Sequence, residues 1–240
     1  MNFNKIIIGF ILLGSISAVS LTSCKKLSLQ RDYNRIPDTV DTHVYMNAWD
    51  YLKKRATGTT SNDQIWKSFY DAIVYSGIDS AEYTKPNRTF IFPNTEALTR
   101  INSNLSDVGF FSAYQVNNKN GTKWADYPKD LVKNYLLYLI IEGVYNHYTL
   151  PPINAVEVQT LAPQGSLTSL PAGITRTSAW PFVPNPKSTM KIKVLNSSPS
   201  NTSDYPIVLN ESRNVRTSSI QATNGTIHAI DRFLTTTVPD

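Results

Sequence analysis

The sequence predicts an α+β domain in which helices come first and antiparallel sheets come last. Apolar residues recur with helical spacing in the first part of the chain, up to Gly143. Seven of the 14 prolines then fall between residues 151 and 186, which excludes long helices there. Farther on, Met190–Leu195 alternates apolar and basic residues, and Asn224-Gly225 is a typical hairpin turn. Helices followed by strands are typical of the α+β class.

The N-terminus has the layout of a lipoprotein signal peptide. An apolar run and small residues precede Leu21-Thr22-Ser23-Cys24, which resembles a bacterial lipobox, where the Cys24 thiol is acylated. Residues 1–23 are therefore expected to be cleaved, and residues 24–40 to form a lipidated tether. The alternative is an ordinary transmembrane anchor over residues 6–23, which is near the lower length limit of a spanning helix.

Two amphipathic helices are predicted at the start of the domain. The first places five apolar residues on one face, namely Val44, Tyr45, Ala48, Trp49 and Leu52. The second opens at the capping box Ser61–Gln64 and ends at Gly77, a typical C-cap residue. Its apolar residues are Ile65, Trp66, Phe69, Ala72 and Ile73.

A buried strand and two further helices follow. Thr89–Phe92 is too short and too rich in aromatic and β-branched residues for a helix, and Pro93 ends it. Asn94 then caps a helix whose apolar residues are Ala97, Leu98, Ile101 and Leu105. The next helix is predicted over Pro128–Glu142, where Gly143 closes it.

The last third of the chain is predicted to contain loops and strands. The proline-rich stretch indicates loops with short edge strands. Strands are expected at Met190–Leu195, Pro206–Leu209 and Val215–Ile220. Asn224-Gly225 is expected to supply the positive-φ turn before a final strand, Thr226–Leu234.

Composition and motifs exclude several functional classes. Cys24 is the only cysteine, so the chain has no intrachain disulfide, no zinc site with two thiolates and no C-x-x-C redox pair. The nucleotide-binding glycine motifs and the G-x-S-x-G motif of hydrolases are absent. Lys5 is the only charged residue in residues 1–23, so the formal charge falls from +5 to a scattered +4 on the mature chain. We therefore predict no catalytic residues, cofactor, metal or nucleic-acid partner.

Three segments resemble the signature boxes of the fasciclin domain, an extracellular adhesion and interaction module. They are Arg88–Leu98, Leu136–Gly143 and Asn224–Leu234. The resemblance is carried by Thr89, Phe90, Pro93, Asn94, Tyr138, Asn224, Gly225, His228 and Asp231. It implies a fasciclin-like domain over residues 41–236, with N-terminal helices, a two-sheet antiparallel β wedge, an insertion at about 145–190 and a tail at 237–240.

The resemblance also implies a function. Together with the lipobox, the boxes look like those of Bacteroidetes fasciclin-domain lipoproteins, which accompany outer-membrane nutrient-uptake systems built from a TonB-dependent channel and a lipoprotein lid. The implied role is a lipid-anchored adhesion or interaction protein. It would make protein contacts either within such an uptake complex, with the channel and surface lipoproteins as partners, or to host or matrix surfaces. Lys25 and Lys26 replace an aspartate that resembles an inner-membrane retention signal, which favours the outer membrane. Whether the protein faces the cell surface or the periplasm stays open.

Two departures from the family boxes are expected to matter. Phe92 stands where the family carries alanine, and Leu139 replaces a histidine in the region implicated in integrin binding by animal proteins. The sequence therefore gives no support for integrin binding.

An alternative function rests on Trp124 and Trp180. Both are predicted on loops, where aromatic rings can stack on sugars or bind a peptide or protein partner. The chain would then be a glycan- or peptide-binding surface lipoprotein, unless these rings only fold the loops back onto the domain. His228 is expected to be a neutral, hydrogen-bonded core residue, and Asp231 to form a salt bridge with Arg232.

Overall fold

The computed structural model describes residues 41–60, 63–101, 108–151, 154–194 and 206–238. The signal peptide, Cys24 and the tether lie outside these residues. All described residues from Thr42 onward pack as one unit.

The helices of the described residues lie mostly in the first half of the chain. The α-helices are α1 (Ala48–Thr57), α2 (Lys67–Ser76), α3 (Thr95–Thr99), α4 (Phe110–Ala113) and α5 (Lys129–Tyr138). Two short 3-10 helices span Ser80–Tyr83 and Trp124–Asp126. None of these described helices is long and apolar enough to cross a lipid bilayer.

The strands form three sheets. They are β1 (Arg88–Pro93), β2 (Tyr114–Val116), β3 (Lys119–Asn120), β4 (Ile140–Glu142), β5 (Val156–Gln159), β6 (Ile174–Arg176), β7 (Thr189–Val194), β8 (Ile207–Leu209), β9 (Arg213–Asn214), β10 (Thr217–Ala222) and β11 (Gly225–Ile230). Their orders are β10-β11-β1-β4, β3-β2-β6 and β5-β7-β8-β9.

The α+β class is confirmed, with two corrections to the predicted sheets. Strands β1 and β11 run parallel, from Arg88 opposite Gly225 to Pro93 opposite Ile230, whereas an antiparallel wedge was expected. The wedge was also expected to have two sheets, and the described residues add the small sheet β3-β2-β6. The parallel pair joins segments far apart in the sequence, so no local pattern indicates it.

Helix α1 begins later than its apolar pattern predicts. Asn47 is its N-cap, and the Asn47 side-chain oxygen accepts the amide of Asp50 at 2.8 Å. Tyr45 lies before this cap with a φ of 53° and is 76% exposed, so its predicted place on the buried face is wrong. The buried face is formed by Ala48, Leu52 and Ala56.

Helix α2 begins at Lys67, and the predicted start at the capping box Ser61–Gln64 is wrong. Gln64 has a φ of 66°, a left-handed conformation that a right-handed helix cannot continue through. The neighbouring Asp63 carboxylate accepts instead from the Thr60 hydroxyl at 2.6 Å. This local turn delays the helix by about one turn.

Two caps predicted from the sequence are confirmed. Gly77 ends α2 with a φ of 70°, and its amide donates to the carbonyl of Ile73 at 3.2 Å. The Asn94 side-chain oxygen accepts the amide of Ala97 at 2.8 Å and begins α3.

Two apolar residues predicted on buried helix faces are exposed. Ile65 is 41% exposed because it lies in the turn before α2, and Ile101 is 60% exposed because α3 ends at Thr99. The apolar pattern therefore extends past the helices that it predicts. Leu105, assigned to the same helix as Ile101, lies outside the described residues.

Helix α5 ends at Tyr138, and its predicted continuation to Glu142 is wrong. Residues 140–142 form β4, which pairs antiparallel with β1 and places Phe90 opposite Ile140. The β-branched Ile140 and Ile141 fit a strand better than a helix. Pairing with a buried strand therefore prevails over the helical periodicity.

The C-terminal strands follow the predicted pattern with shifted boundaries. Alternate residues of β7 are buried, as predicted, and β10 lies two residues later than expected. The hairpin is confirmed, but its loop is Thr223-Asn224 because Ala222 pairs with Gly225, and Asn224 does not adopt a positive φ. Strand β11 ends at Ile230, not at Leu234. In the proline-rich stretch, β5 and β6 are short edge strands, as expected.

Phe92 fills the space between β1 and the first helices. Its side chain is fully buried, and its ring centroid lies 5.3 Å from those of both Trp66 and Phe69. Since an alanine would leave this contact empty, the departure at this position packs α2 onto the sheet.

Candidate functional site

Thr89 bonds β1 to the loop that follows β4. Its hydroxyl donates to the carbonyl of Gly143 at 2.8 Å and accepts the amide of Tyr145 at 2.9 Å. Thr89 is completely buried, so both hydrogen bonds satisfy groups that water cannot reach. This signature residue has a structural role.

His228 continues the same network from β11. Its Nδ1 accepts the amide of Ser219 at 3.0 Å, and its Nε2 donates to the carbonyl of Tyr145 at 2.7 Å. Because a backbone amide can only donate, Nδ1 is unprotonated and the ring proton is on Nε2. Burial lowers the pKa of His228 to about 4, so the ring is neutral at pH 7. The predicted core role is confirmed.

Ser219 and His147 form a hydroxyl–imidazole pair at the edge of this network. The Ser219 hydroxyl lies 2.9 Å from Nδ1 of His147, and Ser219 has a φ of 59° at an irregularity in β10. A serine beside a histidine is one element of nucleophilic catalysis. Here Ser219 is only 7% exposed, and neither residue lines the cleft described below. The pair joins β10 to the loop around His147.

Asn224 connects the final hairpin to two other parts of the fold. Its side-chain oxygen accepts the amide of Ala48 at 2.9 Å, at the start of α1. Its side-chain nitrogen donates to the carbonyls of Tyr83 at 2.9 Å and Lys85 at 3.1 Å. Asn224 is 7% exposed, so these bonds lie in the interior.

Replacing Asn224 by alanine is expected to lower the free energy of unfolding by about 2 kcal/mol, because three buried backbone groups lose their partner. Urea unfolding measures this change. Asn214→Ala is the control on exposed strand β9, and its effect should stay within about 0.5 kcal/mol. Equal stability of the two variants would contradict the cross-linking role of Asn224.

The other residues of the boxes mostly lie inside the fold. Phe90 is buried against the ring of Tyr83 at 5.9 Å, and Pro93 ends β1. The Tyr138 hydroxyl accepts from the Asn210 side chain at 2.7 Å, and burial raises the pKa of Tyr138, so it stays protonated.

Asp231 forms the predicted pair with Arg232. One of its carboxylate oxygens lies 3.4 Å from the Arg232 guanidinium, and both side chains are about one-third exposed, at 31% and 34%. An ion pair this accessible contributes little to stability.

Trp124 is a core residue, which contradicts its assignment as a contact residue. It is 8% exposed, and its Nε1 donates to the carbonyl of Ser68 at 3.0 Å. Its ring meets that of Phe111 edge-on at 4.8 Å. The loop that carries Trp124 therefore folds back onto α2 and α4.

Trp180 is half-buried and already covered on one side. The Arg213 guanidinium lies 5.5 Å from its ring centroid, and Phe233 meets it edge-on at 6.1 Å. Its carbonyl accepts from Arg176 at 2.9 Å. The alternative function, glycan or peptide binding by aromatic residues on loops, therefore rests on Trp180 alone. The ring of Trp180 already contacts two side chains of the domain.

A cleft of about 250 Å³ lies between α1, the turn before α2 and the strands β10 and β11. Two signature residues, Asn94 and Asp231, line it. Its wall contains further polar and aromatic residues that were not predicted as site residues from the sequence, namely Tyr51, Arg55, Trp66, Arg216 and Thr217. These residues come from segments far apart in the sequence. The only signal for them in the sequence is that each segment contains aromatic or basic residues. We call this set of residues the helix–hairpin cleft.

The predictions on metal binding and on lipidation concern different parts of the chain. Among the described residues, no group of three or more His, Cys, Asp or Glu side chains could hold a metal ion. The lipidation prediction at Cys24 lies outside the described residues.

The comparisons with known proteins yield structural matches. No family profile matches the sequence, and no curated protein matches it. Sixteen chains of known structure match. One is a FAS1 domain pair from the insect cell adhesion molecule fasciclin I, with a TM-score of 0.44 and 16% identity, covering 73% of this chain and 46% of that chain. The present chain thus spans about half the length of that structure.

Proposed function

We propose that this chain is a lipid-anchored interaction protein of the bacterial outer membrane that serves a nutrient-uptake complex through protein contacts. The observation that carries the proposal is the lipobox, because the only cysteine in 240 residues ends the apolar leader at Cys24. Acyl chains contribute roughly 0.8 kcal/mol for each buried CH2 group, so a diacylated and N-acylated cysteine holds a protein at a membrane without a spanning helix.

The signature residues have structural roles inside the fold, which supports a function through protein contacts and not through catalysis. Thr89, Asn224 and His228 each hydrogen-bond backbone groups inside the fold. Their chemistry is used to hold strands, loops and α1 together. Contact with a partner is then left to the exposed side chains of the domain.

Lipid anchoring is tested by changing the acylated residue. In a Bacteroidetes host fed a radiolabelled fatty acid, the wild-type protein should carry label and fractionate with the outer membrane. Cys24→Ala should carry none and be lost from the outer-membrane fraction. The control is Lys25→Gln, a variant that leaves Cys24 unchanged. Label on Cys24→Ala would contradict the lipobox.

The uptake role is tested by affinity isolation from detergent-solubilised outer membranes. A TonB-dependent channel should co-purify with the tagged wild-type protein in comparable amount. An unrelated tagged outer-membrane lipoprotein, expressed at the same level, should not bring it down. A wild-type isolate without any such channel would refute the uptake role while leaving lipid anchoring intact.

A further inference from the structure

The helix–hairpin cleft contains a cation with no internal partner. Arg55 is paired with Asp63 at 3.0 Å, and Asp231 with Arg232 at 3.4 Å. Thr60 donates to Asp63 and holds the pKa of that carboxyl below its usual range, so the first pair persists in mild acid. Arg216 is exposed and pairs with no described carboxylate. The cleft therefore carries one uncompensated positive charge.

The wall of the cleft also holds unused hydrogen-bond donors. Trp66 is 3% exposed, and no described group accepts from its Nε1. A buried donor without an acceptor costs roughly 1–3 kcal/mol, so an acceptor supplied from outside would relieve it. The Asn94 side-chain nitrogen and the Thr217 hydroxyl likewise make no hydrogen bond with described residues. Burial raises the pKa of Tyr51, which keeps its hydroxyl protonated.

The size and floor of the cleft limit what can occupy it. Its 250 Å³ is below the roughly 300–1,000 Å³ of typical small-molecule pockets, which suits one ring and not an extended chain. Its floor is apolar, made by Ile220, Ala229 and Ile230, and the ring of Tyr51 borders it. Asp231 adds a carboxylate that can accept from hydroxyl groups.

We infer that the helix–hairpin cleft binds an acidic sugar, with its carboxylate on Arg216 and Trp66. A uronate combines the required features, because it has one carboxylate for the guanidinium and the indole N–H, and ring hydroxyls for Asn94, Thr217 and Asp231. Its apolar ring face fits against the floor. A neutral sugar lacks the charged group, and an acidic amino acid lacks the ring of hydroxyls. The inference does not depend on the proposed uptake role.

The test is titration of the full-length protein in detergent micelles with D-glucuronate, D-glucose and N-acetylglutamate. With selective ¹⁵N labelling of tryptophan, the indole signal of Trp66, assigned from its loss in Trp66→Phe, should shift on addition of glucuronate. Calorimetry on the same samples should show glucuronate binding at least about tenfold tighter than glucose and N-acetylglutamate.

Variants identify the groups responsible. Arg216→Gln should weaken glucuronate binding by at least about tenfold. Trp66→Phe, which keeps an aromatic ring but removes the indole N–H, should weaken it by about threefold to tenfold. Lys119→Gln removes an exposed charge on another sheet and should change binding by less than about twofold. Equal binding of glucose or N-acetylglutamate, an unmoved Trp66 signal, or an equal loss with Lys119→Gln would each overturn the inference.

Discussion

Gly225→Ala is expected to lower the free energy of unfolding by more than about 4 kcal/mol, or to prevent folding altogether. A Cβ at this position would lie 2.0 Å from the carbonyl oxygen of Arg88 and 2.9 Å from its carbonyl carbon. Both are backbone atoms of the parallel partner strand, so no side-chain movement can relieve the clash. Either β1 and β11 separate at this end, or the hairpin shifts its register.

The measurement is urea unfolding followed by circular dichroism, with limited proteolysis where the variant does not purify as a folded species. Gly77→Ala is the matched control, because Gly77 also has a positive φ of 70° but a Cβ there meets nothing within 4 Å. It should cost only about 1 kcal/mol. If the two variants were equally stable, close packing of β1 against β11 would not be the reason for glycine at 225.

The sequence predicts features that local chemistry decides. The caps at Gly77 and Asn94, the buried strand β1 and the alternation in β7 each depend on residues within a few positions of one another. Such patterns specify local conformation directly.

Long-range contacts decide the features that the sequence does not predict. Helix α5 ends where β4 pairs with β1, and Trp124 is buried because its loop reaches the Ser68 carbonyl. A single sequence does not show such contacts. The helix–hairpin cleft is a further case, since Trp66 and Arg216 lie far apart in the chain and meet only after β10 and β11 pack against the first helices.

The structural roles of the signature residues depend on the fold. A histidine between two isoleucines in the last strand indicates a buried ring. That His228 joins Ser219 on β10 to Tyr145 on the loop after β4 depends on the fold. Burial at this position also lowers the pKa of His228.

The buried neutral state of His228 predicts a loss of stability in mild acid. The pKa of His228 falls from 6.5 to about 4: burial is the main cause, the hydrogen bond to the Tyr145 carbonyl opposes the shift, and the His147 charge adds to it. Between these two pH values the unfolded chain binds a proton that the folded chain does not, so stability falls as the pH falls from about 6.5 to about 4. The loss totals about 3 kcal/mol, because one pKa unit corresponds to about 1.4 kcal/mol. Below pH 4 this group causes no further change.

His228→Leu separates this effect from other titrations. At pH 7 the variant should be less stable than the wild type by about 3 kcal/mol, because the Ser219 amide and the Tyr145 carbonyl lose their buried partner. As the pH falls to about 4, only the wild type loses the histidine contribution, so the difference between the two proteins should shrink toward zero.

Urea unfolding of both proteins at intervals from pH 7 to pH 4 measures this difference. Hydrogen bonds from Thr60 and Thr122 lower the pKa values of Asp63 and Asp126, and these carboxylates act alike in both proteins, so the difference isolates His228. His43→Gln is the control, because His43 is exposed and is not among the groups that shift the pKa of His228, so this variant should keep the pH dependence. A gap between wild type and His228→Leu that stayed constant from pH 7 to pH 4 would mean that folding does not shift the pKa of His228. Its two hydrogen bonds would then have to be reassigned.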